Sequence, residues 1–94
     1  MTPEGKVKKA VKDYLASLTP KPYVYMPVPM GYGATTLDFL VCHKGQFWGI
    51  ETKRAGINAP TPAQACCMSD IAHAGGGVIL ENSVGCEKVR ELIK

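Results

Sequence analysis

An aspartate, a glutamate and a lysine, Asp38, Glu51 and Lys53, interrupt two otherwise apolar stretches, "TLDFLVC" and "QFWGIETKR". The link between them is "HKGQ", where Gly45 can supply the positive φ that tight hairpins need. A turn centred between Lys44 and Gly45 pairs 43 with 46, 42 with 47 and 40 with 49, and the same register sets Asp38 opposite Glu51. Directly opposed residues on one face hold their Cβ atoms about 4.5–5.5 Å apart. Lys53, two positions on from Glu51, shares that face. Carboxylates opposed in this way repel, more so when buried, unless a cation or a proton compensates. A hard divalent cation such as Mg²⁺ prefers oxygen ligands and would satisfy both acids, and Gly49 on the same face leaves space for it. The competing arrangement is a Lys53 salt bridge to one acid while the other reaches water at the strand end. Register is decisive, because a three-residue loop would turn one acid to the opposite face.

The rest of the chain must position this hairpin. Thr2 and Pro3 open a helix as N-cap and first helical residue. Val7, Ala10, Val11, Tyr14, Leu15 and Leu18 then recur at three- and four-residue steps, and the helix ends before Pro20. Glu4 lies on the same apolar stripe. Residues 22–29, "PYVYMPVP", form a proline-limited edge strand, followed by a Gly-rich loop, "GYGATT". The hairpin strands cover residues 37–42 and 46–54. Thr61 and Pro62 start a second helix that stops at a glycine cluster; "GVILE" is a fourth strand. "VGCEKVRELIK" gives a last helix through Val84, Val89, Leu92 and Ile93. The order α-β-β-β-α-β-α predicts an α/β fold, and strands apolar on both sides predict a mixed sheet flanked by helices on both faces.

With 94 residues, 46% of them hydrophobic and 20% charged, the chain suits one folded domain, residues 1–94, rather than a disordered tail. The net charge is +3, and Lys6, Lys8, Lys9 and Lys12 cluster either as a solvated helix face or as a contact for a polyanion. Cys42, Cys66, Cys67 and Cys86 show neither CxxC nor CxxH spacing, so no zinc site is expected and the thiols are assigned to buried or half-buried positions. A thiol-based regulatory role for Cys66 and Cys67 lacks an activating neighbour. No apolar run is long enough to span a bilayer and no signal-peptide pattern occurs, which gives an expectation of a cytoplasmic protein with reduced cysteines. His43 and His73 belong to no catalytic constellation, and Tyr23, Tyr25, Phe39, Phe47 and Trp48 are assigned to the core.

An acid in one strand, a hairpin, then Glu51-Thr52-Lys53 in the next, with an acid-bearing helix before and a Gln-bearing helix after, resembles the PD-(D/E)xK nuclease superfamily. More narrowly, nearly the whole chain is similar in element order to a virus-type replication-repair nuclease (VRR-NUC) domain of the stand-alone phage and bacterial type. It departs from the superfamily pattern in having Thr36-Leu37 where a proline would precede Asp38. The resemblance implies a restriction-endonuclease-like αβββαβ core and Mg²⁺- or Mn²⁺-dependent hydrolysis of DNA phosphodiesters. Asp38, Glu51 and the Thr52 carbonyl would ligate the metal. Glu4 would hold a second ion or an ordered water, or serve only as a favourable charge in the first helical turn. Lys53 would assist the attacking water or stabilise transition-state charge. Gln64 would orient a water or phosphate, or act in a capping box with Thr61. Lys6, Lys9, Lys12 and Arg54 would contact the DNA backbone. Further expectations are a homodimer, with "PYVYMPVPMGY" as its surface, and branched DNA such as a Holliday junction as substrate in a repair setting. The rival from another class is a non-catalytic DNA-binding or assembly domain that keeps the fold.

Overall fold

The computed structural model describes residues 1–28 and 35–94. Most of the expected Gly-rich loop, and the end of the "PYVYMPVPMGY" segment, lie outside the described residues.

Helix α1 (Pro3–Ala16) starts as the sequence dictates, with Thr2 Oγ1 accepting from the Gly5 N–H at 3.0 Å. Pro3 costs nothing there, because the N–H it lacks would have had no partner inside the helix. Strands β1 (Tyr23–Tyr25), β2 (Phe39–His43) and β3 (Gln46–Thr52) follow, then α2 (Pro62–His73), β4 (Gly77–Glu81) and α3 (Glu87–Leu92). The sheet order is β1-β2-β3-β4. The first three strands are antiparallel, and β4 joins β3 in parallel, a pairing that requires a crossover such as α2. The fold is thus α/β with a mixed sheet, in the predicted element order.

The hairpin keeps the expected register: Phe39 faces Ile50, Leu40 faces Gly49, and so on to His43 opposite Gln46. Lys44 and Gly45 have φ of 53° and 77°, the pair of positive values of a two-residue type I′ turn, whose twist matches that of the flanking strands. β2 begins only at Phe39, so Asp38 sits in a bend at the mouth of the strand while Leu37 before it is buried.

One face of the sheet carries the core. Phe39, Val41, Ile50 and Ile79 pack with Val11 and Leu15 of α1 and with Cys86, Val89 and Ile93. Tyr14 ties the two helices together: its hydroxyl donates to the Ile93 carbonyl at 2.6 Å and its ring lies 4.6 Å from the Arg90 guanidinium. α2 covers the other face, and Gly49 is where it closes down. A Cβ there would lie 2.7 Å from Ile71 Cδ1 and 2.8 Å from Leu37 Cδ1. Apolar side chains therefore fill the space that the sequence reading left for a cation.

This second face is covered only in part, since no residue of α2 is fully buried. Tyr23, Tyr25 and Phe47 are 71%, 53% and 41% exposed, against their expected place in the core. Tyr23, Cys42 and Phe47 form one cross-strand row on it. Cys42 and Cys66 are exposed as well, against expectation, whereas half-buried Cys67 and buried Cys86 fit it. Leu92 is exposed within α3, and Val84 is exposed because that helix begins only at Glu87. Cys86 precedes it in the left-handed region (φ 57°) and offers no oxygen as a cap. The buried Glu81 does so instead: its Oε1 accepts from Val89 N–H at 2.9 Å and its Oε2 from Ser83 N–H at 3.2 Å. Among the described residues no helix is long and apolar enough to cross a membrane.

Candidate active site

Asp38 and Glu51 meet at the open end of the β2–β3 hairpin, as the register requires. The Asp38 N–H donates to Glu51 Oε1 at 3.2 Å. Asp38 Oδ2 accepts from the Thr52 N–H at 2.9 Å and from the Thr52 hydroxyl at 2.6 Å. The neighbouring strand thus fixes one oxygen of this carboxylate. Among the described residues no hydrogen bond reaches Oδ1, which faces Lys8 Nζ at 3.6 Å.

Glu51 is buried, and Gln64 reaches it from α2. Gln64 Nε2 donates to Glu51 Oε2 at 2.9 Å, while Gln64 Oε1 accepts from the Thr61 N–H at 2.9 Å. One end of the amide completes the expected capping box at the start of α2, and the other reaches Glu51, a partner the sequence did not suggest. Lys53 Nζ lies 3.8 Å from Glu51 Oε2, and its side chain is 14% exposed. The salt bridge and the convergence of the acids therefore coexist: Lys53 pairs with Glu51, Lys8 pairs with Asp38, and the carboxylates still adjoin.

At Glu51, Lys53 does not offset the combined effect of burial and the Asp38 charge. Burial pushes the Glu51 carboxyl up from 4.5 to about 7; the Asp38 charge adds to the rise, and Lys53 and the Asp38 N–H oppose it. The Glu4 charge adds a smaller upward push. Glu4 itself is exposed, because the buried stripe of α1 begins at Val7 and the first turn has nothing to bury against. It acts on Glu51 through its charge alone. Among the described residues no three His, Cys, Asp or Glu side chains gather into a metal-binding group. The donors at hand are the two carboxylates of Asp38 and Glu51. An all-oxygen set with one carboxylate oxygen that, among the described residues, is free of hydrogen bonds fits a hard cation that completes its shell with water and phosphate.

Lys6, Lys9, Lys12 and Arg54 are all exposed, and none pairs with Asp38 or Glu51. Lys9 is held by Asp13 at 2.6 Å, four residues on. The lysine at the site is Lys8, which sequence reasoning left among the solvated ones. A signal existed, since Lys8 lies one turn beyond Glu4 on the same stripe of α1. The Thr52 side chain was also missed; its approach to Asp38 follows from the bend that precedes β2. His43 is buried with Nε2 2.8 Å from the Pro20 carbonyl, and His73 Nδ1 lies 2.8 Å from the Ser69 carbonyl, so both serve the scaffold.

No family model and no curated protein matches the chain in sequence. A solved structure described as a VRR_NUC domain is similar to it with a TM-score of 0.80 and 25% identity, over 100% of both chains. A match of that quality from end to end spans the hairpin, α1 and α2 that build the acidic site, and the chain has the fold of a VRR-NUC domain.

Proposed function

We propose that the protein is a DNA endonuclease that hydrolyses phosphodiester bonds with Mg²⁺ or Mn²⁺ held by Asp38 and Glu51. The observation that carries this reading is the meeting of those two carboxylates across the hairpin, 3.2 Å from the Asp38 N–H to Glu51 Oε1, with Lys53 beside them. Opposed acids destabilise a sheet, and a site for a cation is the reason to keep them. When bound, the ion would make a water nucleophilic near neutral pH and draw in the substrate phosphate.

The residues of the chain do the rest. Thr52 fixes Asp38 with two donors, and Gln64 fixes Glu51 from a capped helix, so neither carboxylate has to be ordered when substrate arrives. Lys53, largely shielded from water, is placed to stabilise the negative charge that builds on the phosphoryl oxygens during attack. Thr52 would add its carbonyl to the ion, and Glu4 would hold a water or a second ion at the rim. Exposed Lys6, Lys9, Lys12 and Arg54 would neutralise backbone phosphates and give sequence-independent affinity.

For substrate, branched DNA such as a Holliday junction cut by a homodimer is the finer reading, supported by the VRR-NUC fold and by exposed Tyr23, Tyr25 and Val28 as apolar surface for a second copy. The test incubates purified protein with labelled four-way junction, flap and linear duplex in Mg²⁺, Mn²⁺ or EDTA, beside Asp38→Ala and Lys53→Ala. Cutting of the junction in metal alone, lost in both variants, is expected. Undiminished cutting by either variant sinks the mechanism; binding of every substrate with cutting of none establishes the non-catalytic rival.

A further inference from the structure

Lys8 has a place in the site that the reaction described above does not use. Asp38 Oδ2 is saturated by the N–H and hydroxyl of Thr52, so any further ligand of Asp38 must take Oδ1. That oxygen is the one Lys8 faces, at 3.6 Å. The distance exceeds the roughly 2.7–2.9 Å of a tight charge-assisted bond. With its side chain 40% exposed, Lys8 holds Asp38 loosely. Lys9, one residue on, contrasts with it, paired with Asp13 at 2.6 Å on the exposed surface of the same helix.

We propose that Lys8 is a positioning residue that neutralises Asp38 before the divalent ion binds, yields Oδ1 to that ion, and then uses its freed ammonium to hold a DNA backbone phosphate. The inference rests on the metal-dependent reading above. A divalent cation on the open oxygen of Asp38 repels the ammonium that faces the same oxygen, so metal uptake favours the release of Lys8. Its flexible stem, anchored on α1 beside the hairpin, keeps the released charge next to the incoming strand. Metal and DNA would then bind with positive coupling through Lys8, because the metal removes the partner that competes with phosphate for it.

The test compares wild type, Lys8→Met, Lys8→Arg and Lys9→Met, all as full chains. Mn²⁺ binding without DNA is measured by calorimetry, and binding to labelled duplex is measured against salt in EDTA and in Ca²⁺. Lys8→Met is expected to bind Mn²⁺ up to about fivefold tighter, the scale of one partly exposed ion pair. Its DNA affinity should match wild type in EDTA and fall in Ca²⁺, with the slope of log affinity against log salt reduced by about one only in Ca²⁺. Lys8→Arg should restore the coupling, and Lys9→Met should behave alike in both conditions. Unchanged Mn²⁺ affinity in Lys8→Met, or an equal loss of DNA affinity in EDTA and Ca²⁺, overturns the role of Lys8 while leaving the nuclease reading intact. If wild type binds no divalent ion, both fall together.

Discussion

Replacing Glu51 by glutamine should make the metal-free protein more stable above neutral pH, although it removes a residue at the centre of the site. The Glu51 carboxyl titrates near 4.5 when exposed and at about 7 in the fold, with burial as the first cause and Asp38 as the second. A group raised in this way contributes stability that is fully present below pH 4.5. That stability declines as pH rises, because the unfolded chain has already lost the proton that the fold retains, and it is gone above 7. A rise from 4.5 to about 7, at about 1.4 kcal/mol per unit, corresponds to about 3–4 kcal/mol. The glutamine side chain has no charge to bury; its amide oxygen can still accept from the Asp38 N–H, while its NH2 then meets the Gln64 Nε2 donor, a cost that does not change with pH. The difference in unfolding free energy between Glu51→Gln and wild type should therefore shift in favour of the variant by about 3 kcal/mol between pH 4.5 and pH 8, on the order of 10 °C in Tm. Urea unfolding of both proteins in EDTA across this range measures it, and the subtraction removes every other titrating group. A difference that does not change with pH, or a wild type that is the more stable at pH 8, would refute the electrostatic argument.

Three further outcomes follow from the same geometry. Because Glu51 must lose its proton to take a cation, Mn²⁺ affinity should be about tenfold weaker at pH 6 than at pH 8, with proton release visible when calorimetry is repeated in buffers of different ionisation enthalpy. Gln64→Ala removes both a cap and the donor to Glu51 Oε2; it should cost about 1 kcal/mol in chemical denaturation and lower the cleavage rate by about 10- to 100-fold. Gly49→Ala puts a methyl against Ile71 and Leu37 and should destabilise by about 1–3 kcal/mol, with α2 amides exchanging faster with solvent in mass spectrometry.

The parts of the site that could be read from the chain were those governed by local rules. A two-residue turn at Lys44-Gly45 sets every pair in the hairpin, so the opposition of Asp38 and Glu51 follows from counting residues across the turn. Thr2-Pro3 and Thr61-Pro62 marked two helix starts because capping is also local. Legibility stopped where a residue depends on how far one element extends over another. The period of two places Tyr23, Tyr25 and Phe47 within a strand pattern, but not whether α2 reaches over them, and it leaves all three exposed. The helical stripe carried Glu4 and Lys8 together, yet only the position of α1 against the bend at Asp38 makes Lys8 the closer partner. Glu81 closed "GVILE" as an ordinary strand end. Its task arises because Cys86 brings no oxygen to the start of α3.

The central claim is that Asp38 and Glu51 converge to hold a divalent cation where a phosphate can join it. Anomalous diffraction from a crystal of the protein soaked in Mn²⁺ at pH 8 tests this most directly. The account predicts a manganese peak about 2.1 Å from Asp38 Oδ1 and in contact with the Glu51 carboxylate, with Lys8 displaced. A crystal saturated with Mn²⁺ that shows no peak between these two carboxylates would contradict it.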